Sequence, residues 1–178
     1  MDYNKYSKEI YEQNKAVGWW DDPDRCKLTL LQLVSTEIAE ATEAERKDLM
    51  DDHLPHRKGG EVELADAMIR LLDMAGAYGW RYLELDIEPI PKIIEEKGIG
   101  AKHFYINCRL SNMKIIHSIN SSFFNINYCF STLVELIEAV AKSQGYDIES
   151  AMIEKLEYNA KRQDHKRSER EKKHGKKF

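Results

Sequence analysis

The chain lacks what several structural classes require. Its three cysteines, Cys26, Cys108 and Cys129, are odd in number and far apart. No Cys-x-x-Cys pair occurs, so neither a disulfide framework nor a zinc ribbon is supported. A reducing, cytoplasmic setting is the default expectation. No apolar run reaches the roughly 18 residues that span a bilayer, so no membrane association is expected. The opening MDYNKYSKEI is polar and does not read as a secretory signal. Neither an internal repeat nor sustained strand-type alternation is present.

What remains is charge and helical periodicity. A chain of 178 residues fits one domain and can bury a substantial core. The net charge of -4 conceals an asymmetry. Residues 161–178 hold nine Lys/Arg against three Asp/Glu, whereas the other 160 residues hold 18 against 28. An acidic body argues against a uniform nucleic-acid-binding surface. It is compatible with a metal site served by a basic segment for a phosphate ligand. By itself the segment 163–178 reads as a flexible, solvated basic tail.

Periodicity predicts an all-α fold. Helices are expected over Tyr3–Val17, Lys27–Lys47, Glu61–Tyr78, Phe123–Lys142 and Ile148–Arg162. Between the second and third lies the polar stretch DLMDDHLPHRKGG, which reads as a loop. Pro89, Pro91, Gly98 and Gly100 allow only a short helix in residues 84–100. The block 101–121 fits helix or strand equally well.

Acids three apart recur along the chain, Asp21/Asp24, Glu135/Glu138 and Glu154/Glu157 among them, so spacing alone marks no site. The helical face discriminates. Glu37 falls within the apolar stripe Leu30, Leu33, Val34, Ala41 and Ala44, with Glu40 at its edge. Glu63, Asp66, Arg70 and Asp73 form a narrow polar stripe on an otherwise apolar third helix. By contrast, Glu135 and Glu138 are expected on a solvent face, opposite Leu133, Ile137 and Val140. Inward carboxylates are costly unless paired, hydrogen-bonded or metal-bound. Four of them suit Mg²⁺, a hard cation that takes oxygen ligands. A structural network in which Arg70 or nearby lysines neutralise the acids is the alternative. A di-iron bundle would need Glu-x-x-His pairs, and none of the six histidines completes one. His53 and His56 read as exposed loop residues. On the last helix Lys155, Asn159 and Arg162 share or flank the buried side marked by Ile148, Met152 and Leu156, while Glu154 and Glu157 point away.

Glu37-Ile-Ala-Glu40, then 22 residues, then Glu63-Leu-Ala-Asp66 resembles the ExxE…ExxD signature of the all-α nucleoside triphosphate pyrophosphohydrolases, the MazG-like superfamily. The run ELADAMIRLLDMAG is similar to that family's second metal helix. Lys155 to Arg162 looks like its K-x-x-Y-N-x-x-R stretch, and His174-Gly-Lys-Lys like the ending of its smaller members. The resemblance implies a helical bundle of about five helices, its four-helix core completed by dimerisation. It implies Mg²⁺ (or Mn²⁺) on Glu37, Glu40, Glu63 and Asp66, with Glu37 and Glu40 also serving catalysis by activating water. The substrate would be a nucleoside triphosphate, cut to the monophosphate and pyrophosphate. Lys155, Asn159 and Arg162 would contact phosphates, and the tail lysines would fold over the substrate. Trp20 and Asp73 are further substrate-binding candidates, Trp20 by stacking on a base and Asp73 by accepting from it. The family's compact members pass quickly from the second metal helix to the K-x-x-Y-N helix. Here about 80 residues intervene, so the catalytic domain 1–162 is expected to carry an inserted helical segment at about 97–145. A homodimer or homotetramer is the implied assembly. The competing class is a non-enzymatic helical interaction module whose basic tail binds nucleic acid or an acidic partner.

Overall fold

Only a helix that is apolar around most of its circumference can serve as the centre of a bundle. The segment GGEVELADAMIRLLDMAGAY meets that condition, and the computed structural model, which describes residues 1–118 and 125–172, places it centrally. Among these residues the fold is all-helical, without strands. The order is α1 (Tyr3–Ala16), α2 (Lys27–Lys47), α3 (Gly59–Tyr78), α4 (Lys92–Glu95), α5 (Ile99–Ser118), α6 (Ile126–Ser143), α7 (Ile148–Lys161) and α8 (Arg167–Arg170). A 3-10 turn at Gln163–His165 precedes α8. Helix α3 packs against α1, α2, α6 and α7, while α5 bridges α2 and α6. No described helix is long and apolar enough to cross a membrane.

Caps and turns set the helix ends. Asp2 caps α1 by accepting from Lys5 N at 3.0 Å, and Asp147 caps α7 by accepting from Ser150 N at 3.1 Å. The expected helix start at Phe123 and the His174-Gly-Lys-Lys ending lie outside the described residues.

The ambiguous block is helix α5 as far as Ser118, and residues 119–121 lie outside the described residues. Its pattern is scrambled because polar residues are inside and an aromatic is outside. Lys102 and His103 are buried, whereas Phe104 is 70% exposed. Lys102 Nζ donates to Ser143 Oγ at 3.0 Å near the C-terminal end of α6, where helix carbonyls favour a cation. Thr42 Oγ1 donates to Ile38 O, so it accepts from His103 Nδ1 at 2.9 Å. Burial pushes the His103 pKa down to about 4, which keeps the ring neutral.

Glu135 and Glu138 are a correction to the solvent-face expectation. Both are half-buried, because Tyr82 and Tyr3 donate their hydroxyls to them. The extended segment after α3 is pinned nearby: Arg81 N donates to Asn127 Oδ1 at 2.9 Å and Leu83 N to Ser131 Oγ at 2.8 Å. Glu154 likewise does not simply point away. It pairs with Arg57 and His56, each at 2.7 Å.

Close helix approach requires small residues at two points on α3. A Cβ on Gly59 would sit 2.8 Å from Ala44 Cβ of α2. One on Gly76 would collide with the Ser7 carbonyl and with Tyr11 of α1. Backbone cannot yield as a flexible side chain does, so Gly76→Ala should force α1 outward and destabilise the fold by about 1–3 kcal/mol. Urea unfolding of that variant measures the loss, and an unchanged midpoint would show that α1 is not held this closely.

Candidate metal centre

Helices α2 and α3 form an antiparallel hairpin across the loop 48–58. Ala44 faces Gly59 at the loop end, and Arg70 reaches Glu37 farther along. On α2, Glu37 shares the inward face with Val34, Ile38 and Ala41 and is buried. Opposite it, the polar stripe of α3 supplies Glu63 and Asp66. One carboxylate oxygen from each of Glu37, Glu63 and Asp66 lies within 4.8 Å of the others. Among the described residues this is the group that could hold a metal ion. Glu40 is exposed and lies on the same cleft, one turn from Glu37. The structure thus gathers three of the four expected acids and leaves Glu40 at the rim, close enough to act electrostatically on Glu63.

Crowded anions hold one another's protons. Burial, then the Asp66 and Glu37 charges, raise the Glu63 pKa to about 8. Asp66 rises to about 6, mainly through burial, with Lys155 opposing the shift. Two cations sit among the acids. Arg70 Nε pairs with Glu37, and Lys155 Nζ lies 3.0 Å from Asp66 Oδ2. Lys155 is itself buried, at 3% exposure. The charge-pairing alternative is therefore realised in part. It is incomplete at Glu63, whose pKa is raised by burial first and then by the Asp66 and Glu37 charges.

The acids border a cleft of about 1000 Å³ between α1, α2, α3 and α7. Its apolar floor includes Ile10, Leu30, Leu33 and Ile69. Lys155, Asn159 and Arg162 all line it, so α7 joins the same pocket despite the long intervening segment. Asn159 Oδ1 is buried and has no partner among the described residues. Arg162 forks onto Asp164 at 2.9 and 2.7 Å, with its guanidinium 5.8 Å from the Tyr158 ring centre.

Two aromatic and acidic candidates are placed differently from each other. Trp20 is half-buried and lies off the cleft: it meets Tyr11 and Tyr78 edge-to-face, each at 5.7 Å between ring centres, and Arg25 covers its face at 4.6 Å. Its Nε1 donates to Asp73 Oδ1 at 3.0 Å. Trp19 is the tryptophan that lines the cleft, edge-on to His165. Asp73 also lines the cleft, but it pairs with Trp20 and Asn14 rather than with Arg70. Sequence reasoning passed over Asp51, whose buried carboxylate accepts from the backbone N–H groups of His53 and Leu54 at 2.9 and 2.7 Å. The signal available was an Asp two residues before a turn ending in Pro.

No family model, curated protein or solved structure matches the chain.

Asp73 provides a titration that can be read optically. Burial raises its pKa from an ordinary 3.8 to about 6. The folded state therefore binds the proton more tightly than the unfolded state. Its stabilising contribution is complete below the unfolded value and is lost as pH rises through about 6. Ionisation should change Trp20 emission with a midpoint near pH 6 that is absent in Asp73→Asn. Identical emission profiles in the two proteins would contradict the buried Trp20–Asp73 contact.

Proposed function

We propose that the chain is a divalent-metal-dependent nucleoside triphosphate pyrophosphohydrolase of the MazG-like type. The reaction would consume water and a nucleoside triphosphate, most simply a deoxynucleotide, and release the monophosphate and pyrophosphate. One observation carries this reading: three converging carboxylates from two helices share a cleft with an inward Lys155, Asn159 and Arg162. Acids alone would suit a structural ion-pair network. Acids gathered beside phosphate-type donors on one cleft suit a metal–polyphosphate pair.

The donor set fits Mg²⁺ or Mn²⁺, because it is made of carboxylate oxygens and includes neither His nor Cys. Glu37, Glu63 and Asp66 would hold the cation, with Glu40 at the rim completing its surroundings. When bound, such a cation supplies Lewis-acid polarisation of a phosphoryl oxygen and acidification of water. One of Glu37 and Glu40 would take the proton of the attacking water, and the other would orient it. Lys155 and Arg162 would bind and neutralise the departing pyrophosphate, and the Asn159 amide would orient it. Trp19 and the apolar floor of Ile10, Leu30 and Leu33 would receive the base and exclude water from it.

Assembly as a homodimer or homotetramer, a four-helix core completed by dimerisation and a flexible basic tail belong to the same proposal, as does a cytoplasmic setting. The interaction-module alternative draws less support from the tail. Arg162 and Lys172 pair with acids of the tail itself, and Arg167 with Asp21 at 2.8 Å.

A panel of nucleoside and deoxynucleoside triphosphates with Mg²⁺ and pyrophosphate detection tests the reaction. Glu37→Gln and Asp66→Asn should each lower turnover by about 10²–10⁴-fold while leaving the helical spectrum intact. Parental rates in both variants would refute the site. Separately, Mg²⁺ with a non-hydrolysable triphosphate should stabilise the protein, by about 2.7 kcal/mol at a hundredfold excess over Kd. No shift in Tm at saturating ligand would count against a nucleotide site of any kind.

A further inference from the structure

The loop 48–58 contributes a residue to the cleft that the metal-and-phosphate reading leaves without a role. His53 is exposed, yet its position is fixed. Its backbone N–H is held by buried Asp51, the next residue Leu54 is buried, and an antiparallel bridge between Met50 and Lys58 closes the loop. The His53 ring stacks on Tyr158 with centres 4.7 Å apart and planes tilted by 34°. Its Nδ1 lies 3.5 Å from Lys155 Nζ. An ammonium group can only donate, so Nδ1 is the acceptor and the ring proton sits on Nε2. On α7, Tyr158 and Asn159 follow Lys155 at three and four residues, which sets them on one helical face, and Arg162, the extended C-cap residue, lines the same cleft. The loop and the helix thus bring an ammonium, a guanidinium and an imidazole N–H to the same cleft wall.

We propose that His53 is a specificity-determining residue for the outer phosphates: with Lys155 and Arg162 it forms a subsite for the terminal phosphoryl group of a triphosphate, and for inorganic pyrophosphate as product. The choice of anion rests on the pyrophosphohydrolase reading. A tetrahedral phosphoryl group presents several strong acceptor oxygens, and three donors from two elements can meet different ones. The charge environment agrees. Burial, Lys155 and Arg162 lower the His53 pKa, against the opposing effect of Asp51 and Asp52. A neutral ring adds a directional donor without adding a third positive charge, which favours release of pyrophosphate after hydrolysis. A diphosphate cut at the acid cluster would leave this subsite empty, whereas a triphosphate would fill it. His53 therefore reads phosphate-chain length.

The test uses the full chain with inorganic pyrophosphate as probe, followed by calorimetry and by the imidazole resonances of His53. Pyrophosphate should shift those resonances. His53→Ala should weaken pyrophosphate binding about tenfold, the worth of one hydrogen bond to a charged group. The same variant should reduce the triphosphate-over-diphosphate ratio of kcat/KM by a similar factor. His53→Gln restores a donor at the same reach and should recover most of both. Because His53 is exposed on its loop, the thermal midpoint of these variants should stay near that of the parent, which separates binding from folding. Unmoved imidazole resonances, or a His53→Ala variant that binds pyrophosphate as the parent does, would overturn the proposal. The two readings fail separately. His53-dependent pyrophosphate binding without triphosphate turnover would remove the hydrolase and keep the subsite. Turnover with an unchanged chain-length preference in His53→Ala would remove the subsite and keep the hydrolase.

Discussion

Carboxylates that face a protein interior must be matched by positive charge or they keep their protons, and this constraint shapes the cleft between α2, α3 and α7. Glu37, Glu63 and Asp66 meet where α2 and α3 pack, in a position where water alone cannot solvate three anions. Arg70 answers one of them from α3 itself, and Lys155 answers another from α7. Glu63 is left to burial and to its acidic neighbours, and both raise its pKa. A site that satisfied itself would hold no further cation. One that lacked Arg70 and Lys155 would carry still more uncompensated charge.

The placement of Lys155 depends on contacts well removed from the acids. Glu61, in the first turn of α3, accepts from Asp147 N at 2.9 Å and from Arg57 at 3.0 Å. Arg57 also donates to Ser150 and to Glu154 of α7, at 2.6 and 2.7 Å. The start of α7 is therefore tied to the start of α3 through a partly buried cation. From that anchor, helix geometry delivers Lys155 and Asn159 to the cleft, and Arg162 follows at the extended C-cap, held by Asp164. The same ties hold the loop 48–58 against α7, which is what lets His53 lie on Tyr158. The long segment between α3 and α7 leaves this arrangement intact, because α5 and α6 pack on α2 and on other faces of α3.

Much of the helix pattern was legible, and the exceptions have a common cause. The bounds of α2 follow from its apolar stripe, and the inward setting of Glu37 follows from its place within that stripe. Helix α5 was not legible as helix. Its inward Lys102 and His103 find partners on α6 and α2, and its outward Phe104 finds none of the core, so no face carries a consistent polarity. Glu135 and Glu138 looked like ordinary surface acids because the tyrosines that cover them come from residues 3 and 82. Trp19 and Trp20 are adjacent and chemically equal in the sequence. Only the partners Tyr11, Tyr78 and Arg25, which come from α1, α3 and the turn before α2, hold Trp20 off the cleft that Trp19 lines.

Residue spacing was enough for the helical class, most helix bounds, the inward direction of Glu37 and of the Glu63–Asp73 stripe, and the shared face of Lys155 and Asn159. These are properties of a single helix, where residue spacing converts directly into angle. Tertiary structure alone decided that three of the acids converge while Glu40 stays at the rim, that Arg70 and Lys155 compensate only part of their charge, and that His53 reaches α7. Those outcomes depend on distances between elements far apart in the chain, and such distances follow from packing and not from periodicity.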